Sequence, residues 1–369
     1  MTPLDGVKVI ELARILAGPW AGQTLADLGA QVTKVEAPEG DDTRRWGPPF
    51  ITHDGDTSAA YFHATNRGKA SVTCDFRSAE GQQMVRDLVT DADVLIENFK
   101  VGGLAKYGLD YDSLRQVNPR LIYCSITGFG QTGPYAHRAG YDFIIQGMAG
   151  LMSVTGDPAG QPQKVGVAVT DLFTGVYSAT AILAALIQRG RTGQGQHIDM
   201  ALMDVATSVM ANQALNYLAT GVAPGLMGNE HPNLAPYAVC DCADGWIILA
   251  TGNDAQFRRL CAILDLQDMA TDPAYLTNDL RIAGRTELTR RLTEATSRMT
   301  KSALLAACEA QGVPAGPINT LAEVFSDPQV VARGLQIAPH GLPGVRSPFT
   351  FSDAALSLDR PAPRLGQDD

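Results

Sequence analysis

Short β-branched runs alternate with helical segments from the first residues onward, and this alternation constrains the fold more than any other feature. "VKVIEL" (Val7 to Leu12) reads as a buried strand, "WAGQTLADLGA" as a helix ended by Gly29, and "QVTKVEAP" as a second strand carrying Val32 and Val35. Further units follow: "ASVTCDF", "DVLIENF" and "RLIYCSITGFG" as strands, with "AEGQQMVRDLVTDA" and "DYDSLRQVNP" as helices between them. Such βα units imply an α/β fold with a parallel sheet covered on both faces and functional groups at the carboxyl ends of its strands.

The length of 369 residues predicts two domains. Leu172, Val176, Ala179, Leu183 and Ile187 mark a helix whose other positions are also apolar, so burial on more than one side is expected. "RTGQGQHIDMALMDVATSVMANQALNYL" adds a short strand and a long helix. Gly and Pro then crowd the stretch to Pro236, and residues 206–236 are read as a linker. Beyond it, "YAVCDCADGWIILAT" predicts a hairpin around Ala243-Asp244-Gly245, followed by amphipathic helices to about Gln311. The expected division is a large domain of 1–205 and 325–369 and a small domain of 237–320, with a last short strand and turn at "VRSPFTFSD".

Charge excludes several functions. The net charge of −10 argues against nucleic-acid and membrane-surface binding, which need a positive field, so an anionic ligand requires a local basic patch. Charged residues make up only 18% of the chain, which favours extensive burial, including burial in an oligomer. Six scattered cysteines without a CxxC pair and a start, "MTPLDGVKVIEL", without a secretion signal predict a reduced, cytoplasmic protein. No run of about 18 apolar residues free of charge predicts a membrane span.

Motif searches mostly exclude. "GFGQTG" (Gly128 to Gly133) fits GxGxxG after a strand, but Pro134 follows at once and no helical period begins until after Tyr141. A dinucleotide site needs that helix, so a glycine loop admitting a ligand to the backbone is the better reading. No phosphate loop, GxSxG elbow or paired histidine spacing occurs, so no metal site is expected. Asp171 remains, in the apolar run "VGVAVTDLFTG". It is read either as an N-cap for a helix starting at Leu172 or as a carboxylate kept ionised by the helix dipole and poorly hydrated, hence nucleophilic.

A resemblance separates these readings. "GVKVIELARILAGPWAGQTLADLGAQVTKVEAPEGDDTRRWGPPF", "NRGKASVTCDF", "DVLIENFKVGGLAKYGLDYDSL", "NPRLIYCSITGFGQTGPYAHRAGYD", "KVGVAVTDLFTGVYSATAILAAL", "GVPAGPINT" and "RPAPRLGQ" resemble segments of the class III CoA-transferases. That family includes formyl-CoA transferase, carnitine CoA-transferase and α-methylacyl-CoA racemase. "GDDTRRWGPPF", "CSITGFGQTGP", "RAGYD" and "HPNLAPY" are most similar to the succinyl-CoA-dependent dicarboxylate CoA-transferases.

The resemblance implies a Rossmann-like large domain, an interlocked homodimer, and Asp171 as the nucleophile of a ping-pong transfer through aspartyl anhydride and thioester intermediates. Coenzyme A enters as a substrate, with no tightly bound cofactor and no metal. The family pattern places it along Leu16 and Ala17, then Cys74, Asp75, Phe76 and Arg77, then Asn98, Phe99 and Lys100, with Lys106 nearby and Tyr141 and Asp142 beside the acyl end. Arg45 and Arg138 are expected to add charge, and backbone amides of Gly128 to Gly133 to serve as oxyanion donors. Four departures bear on activity. Ala37 stands where many relatives carry a phosphate-binding Arg. Leu16 replaces a Gln of formyl-CoA transferase, and that enzyme's glycine-rich lid has no counterpart, so formyl transfer is disfavoured. Tyr141 replaces the proton-transferring His of the racemases, which weakens the alternative of an acyl-CoA racemase or isomerase, because a phenol of pKa near 10 is a poor base.

Overall fold

The computed structural model describes all 369 residues. In chain order β1 (Lys8–Glu11), α1 (Ala17–Asp27) and β2 (Gln31–Glu36) are followed by a hairpin of β3 (Phe50–His53) and β4 (Asp56–Ala59) and by the short α2 (Ala60–His63). Then come β5 (Ala70–Thr73), α3 (Ala79–Val89), β6 (Val94–Glu97), α4 (Tyr111–Val117), β7 (Ile122–Thr127), α5 (Asp142–Met148), α6 (Val169–Thr192), β8 (His197–Ala201) and α7 (Leu202–Ser208). Six of these strands form one sheet in the order β5-β2-β1-β6-β7-β8, parallel throughout. The strand order reverses between β1 and β6. Loops leaving their carboxyl ends therefore diverge and open a crevice, the usual ligand position in such sheets.

Strand periodicity divides the core into two layers. Val9, Val94, Ile96, Ile122 and Cys124 pack with Ala21 and Leu25 of α1 and with Ile182 and Ala185 of α6 on one face. Ile10, Val35, Val72, Leu95 and Tyr123 face the other way, toward Val85 and Val89 of α3 and Leu114 of α4. Charged side chains appear where the strands end: Glu11, Lys34, Glu36 and Glu97 are all buried.

α6 is long and apolar enough, by length and composition, to cross a membrane. Its inner stripe, Thr170, Thr174, Ser178, Ala179, Ile182 and Ala185, is buried, whereas Phe173, Val176, Tyr177 and Ile187 are exposed. Burial on more than one side, as expected from the sequence, is therefore not found within the single chain. Gly175 permits the close approach of α1, since a Cβ there would lie 2.8 Å from the Ala17 carbonyl oxygen.

The chain divides into two units, one of Met1–Leu151, Val165–Ala211 and Pro328–Asp369 and the other of Met152–Lys164 and Asn212–Asp327. In the second unit α8 (Ala211–Thr220) precedes the hairpin of β9 (Tyr237–Cys242) and β10 (Gly245–Ala250), to which β11 (Ala315–Pro317) adds antiparallel. Ile247, Leu249, Phe257, Leu260, Leu288 and Leu304 form its core. Two details differ from expectation. The long helix after β8 is broken into α7 and α8, with Ala211 at a positive φ of 44°, and the stretch read as a linker thus carries all of α8 and the end of α7. "VRSPFTFSD" contributes only the end of a two-residue bridge, Gly344–Val345, and is otherwise irregular.

Candidate active site

The crevice between β1 and β6 is a cleft of about 560 Å³. The loop after β1 supplies Arg14, Ile15, Leu16 and Ala17, and the loop after β6 supplies Asn98, Phe99, Lys100 and Val101. Cys74 to Arg77 come from the end of β5, Thr127 and Gly128 from the end of β7, and Asp171 from the first turn of α6. Arg14, Arg77, Lys100, Lys106 and Arg138 line it against Glu39, Asp75 and Asp171, so the acidic chain does concentrate cations here. Arg14 pairs with Asp42 and lies over the Phe99 ring, and Arg138 stacks on Phe129 and Tyr135.

α6 starts at Val169, not Leu172, which makes Asp171 its third residue rather than its cap. Ala168 at the cap position offers no side-chain acceptor. Asp142, the first residue of α5, fills that role: its Oδ1 accepts the backbone N–H of Thr170 at 2.8 Å, the Thr170 hydroxyl at 2.5 Å and the N–H of Asp171 at 3.4 Å. Its Oδ2 accepts from Gln146. Because Asp142 satisfies these donors, the Asp171 carboxylate is left to the cleft. Burial, then the nearby charge of Asp142, pushes the Asp171 carboxyl up to about 7. Both effects run against the ionised carboxylate expected from the position of Asp171 at a helix start.

Tyr61 carries no signal in the sequence and does not line the cleft, but the fold brings it within electrostatic reach of Asp171. Burial, with the charges of Asp171, Asp142 and Asp41, pushes its phenol up to about 12. It stays protonated within electrostatic reach of Asp171 and packs edge-on against Trp46 at 5.4 Å. α1 opens on the same cleft, with Leu16 at its cap position making no side-chain cap bond. Uncapped N–H groups at a helix start attract anionic oxygen.

The model of CoA-transferase family III matches residues 4–369. The chain belongs to this family. The CoA-transferase is 60% identical to the succinate–glutarate CoA-transferase of Agrobacterium fabrum, over 99% of this chain and 93% of the relative. It is 42% identical to the succinyl-CoA:glutarate CoA-transferase of Homo sapiens, covering 99% and 84% of the two chains. Among solved structures, a CaiB/BaiF family protein from Brucella suis superposes with a TM-score of 0.91 at 62% identity, covering 99% of this chain and 97% of that one.

Of the residues assigned to CoA by resemblance, Leu16, Ala17, Cys74, Asp75, Phe76, Arg77, Asn98, Phe99, Lys100, Lys106 and Tyr141 all line the cleft of this CoA-transferase. Asp142 does not; it lies behind Asp171 as the cap just described. Arg45 also lies outside, pairing with Asp42 and the Glu39 carbonyl. Arg77 lines the cleft but is held by Asp75 through two hydrogen bonds of 2.7 and 3.1 Å. Asn98 binds the protein itself, accepting the Arg14 N–H and donating to the Arg14 carbonyl. Within the glycine run, the amides of Gly130 and Gln131 donate to Thr127 and Asp199, while Gly128 lines the cleft and is packed against by Gly140.

Proposed function

We propose that the chain moves CoA from succinyl-CoA to a small dicarboxylate such as glutarate through covalent intermediates on Asp171. The observation that carries this reading is the placement of the Asp171 carboxylate, unshared with the cap, at a cation-lined cleft of the strand-order switch. The names of the relatives supply the substrate class.

The ionised Asp171 attacks the donor thioester carbonyl, the C–S bond breaks, and CoA thiolate leaves a mixed anhydride. The thiolate attacks the aspartyl carbonyl, releasing succinate and forming an aspartyl-CoA thioester. The acceptor carboxylate displaces CoA to give a second anhydride, and the thiolate then takes the acceptor acyl group and regenerates Asp171. No proton is consumed overall. The start of α1 and the cleft-lining backbone at Gly128 are the donors suited to the developing oxyanions.

The reading includes a homodimer, supported by apolar side chains left exposed on α5 and α6: Phe143, Ile144, Phe173, Val176 and Ile187. All six cysteines are unpaired and buried, which supports the reducing, cytoplasmic compartment. The test is transfer from succinyl-CoA to glutarate with mass spectrometry of hydroxylamine-trapped enzyme. A hydroxamate on Asp171 is expected; transfer at wild-type rate by Asp171→Ala would remove the assignment. Deuterium entering the acyl α-carbon without CoA exchange would favour the isomerase instead.

A further inference from the structure

Ile15 has a φ of 73°. A β-branched residue in the left-handed region is a steric outlier, and such a conformation persists only where its surroundings over-determine it. Here the surroundings are specific. Four backbone groups from Ala13 to Ile15 are held by three side chains from different parts of the sheet. Lys34 Nζ donates to the Ala13 carbonyl at 2.9 Å. Asn98 accepts from the Arg14 N–H at 3.0 Å and donates to its carbonyl at 2.6 Å. Asp41 accepts the Ile15 N–H at 3.2 and 3.4 Å through its two oxygens.

Asp41 is itself fixed. It is almost fully buried, accepts the N–H and hydroxyl of Thr43, and pairs with Lys34 at 3.0 Å. Lys34 gives its remaining donor to Glu11 at 3.1 Å, and Glu11 also pairs with the buried Lys69, which donates to the Pro19 carbonyl in the first turn of α1. None of these buried ions reaches the cleft, yet their contacts run to the backbone of the loop that forms its wall, at Ala13 and Ile15, and to Pro19 in the first turn of α1. The turn at Ile15 is tight enough that a Cβ on Gly18 would come within 2.3 Å of the Ala13 Cβ. It sets where Leu16 and Ala17 stand and where α1 begins.

We propose that Asp41 is a positioning residue: by holding the Ile15 N–H it maintains the strained turn that presents Leu16, Ala17 and the start of α1 to acyl-CoA. This rests on the CoA-transfer reading for its kinetics, but not for its binding test. Without Asp41, Ile15 relaxes to negative φ and the wall of the cleft moves. Glycine in place of Ile15 has no such preference, so the clamp is needed only while this position carries a side chain.

The test is a double-mutant cycle in the full-length enzyme with Asp41→Ala, Ile15→Gly and both together. CoA affinity is measured by titration calorimetry and KM for succinyl-CoA by transfer to glutarate. Asp41→Ala is expected to weaken CoA binding and raise KM at least about tenfold with Ile15 present, but no more than about threefold in the Ile15→Gly background. Equal effects in both backgrounds would mean that Asp41 supports the fold and nothing more, and would overturn the proposal. If Asp41→Ala does not fold, Asn98→Ala in the same two backgrounds reads the same turn, and equal effects there also overturn it. A wild-type enzyme that binds CoA but transfers nothing to glutarate refutes the proposed function and leaves the cycle readable in CoA affinity.

Discussion

Asp142 accepts the backbone N–H of Asp171 at 3.4 Å, and its charge adds to burial in lifting the Asp171 carboxyl to about 7. One carboxylate thus caps the helix that carries the other and makes that other harder to ionise. If Asp171 is the nucleophile proposed above, attack requires its ionised form, and the rate of transfer is expected to climb with pH through about 7. Asp142→Asn keeps an oxygen to accept the Thr170 and Asp171 amides but removes the charge. The acidic limb of the kcat/KM profile should move to lower pH, only part of the way toward an ordinary carboxylate, because burial is the larger cause. A pH-rate series on both enzymes checks this, and an unmoved limb would show that Asp142 acts by geometry alone.

The same shift has a consequence for stability. Asp171 is raised in the folded state above its unfolded value of 3.8. Its contribution to stability is therefore fully present below about pH 4 and is lost as pH rises through about 7. Asp171→Asn removes the cost of ionising the buried group. It should match wild type in melting temperature near pH 4 and become progressively more stable as pH rises to 8, by at most about 4 kcal/mol. Transfer should fall more than about a thousand-fold at either pH. Thermal melts at the two pH values distinguish this from a general gain: a stabilisation independent of pH would contradict the shift.

The sheet and the cleft were legible in the sequence because burial on both faces makes parallel strands read as apolar runs, as at Val7 to Leu12 and Val94 to Glu97. The position of Asp171 at the cleft followed from motif order. Its exact place in the helix did not, because the cap comes from Asp142, distant in sequence, and a local pattern cannot reveal a donor's partner in another element. Tyr61 gave no local signal for a similar reason: "AAYFH" is an unremarked turn of helix, and only the fold brings it near Asp171. Asp41 and Lys34 have no individual signal in the sequence, and what distinguishes them is burial against the Ala13 to Ile15 backbone.

Gly175 lies one turn beyond Asp171, and a methyl group there would meet the Ala17 carbonyl and the Trp20 side chain, each at 2.8 Å. Gly175→Ala should force α1 and α6 apart at the end that faces the cleft. Overpacking of this kind costs about 1–3 kcal/mol, less whatever the alanine gains in helix propensity. The loss of transfer should exceed what the fraction unfolded explains, since α1 carries Leu16 and Ala17 away from Asp171. Urea denaturation beside kcat/KM at a temperature well below the melt separates the two effects; full activity in the folded fraction would show that the α1–α6 approach matters only for stability.

Arg77 faces the cleft with its guanidinium occupied by Asp75, whose carboxyl is held below the usual range by that side chain and by the Arg77 amide. Both groups are solvent-exposed, so the pair is weak and separable. Asp75→Asn removes one negative charge from a cleft that must admit a polyphosphate and frees Arg77 to meet it. KM for succinyl-CoA is expected to fall about two- to five-fold at low ionic strength, with the gain fading as salt screens the site. Adding Arg77→Ala to Asp75→Asn should abolish the gain. A salt series on the wild type and both variants decides it: an unchanged KM in Asp75→Asn, or a gain that survives loss of Arg77, would mean that CoA phosphates lie out of reach of this side chain and are held instead from the Lys100 and Lys106 side of the cleft.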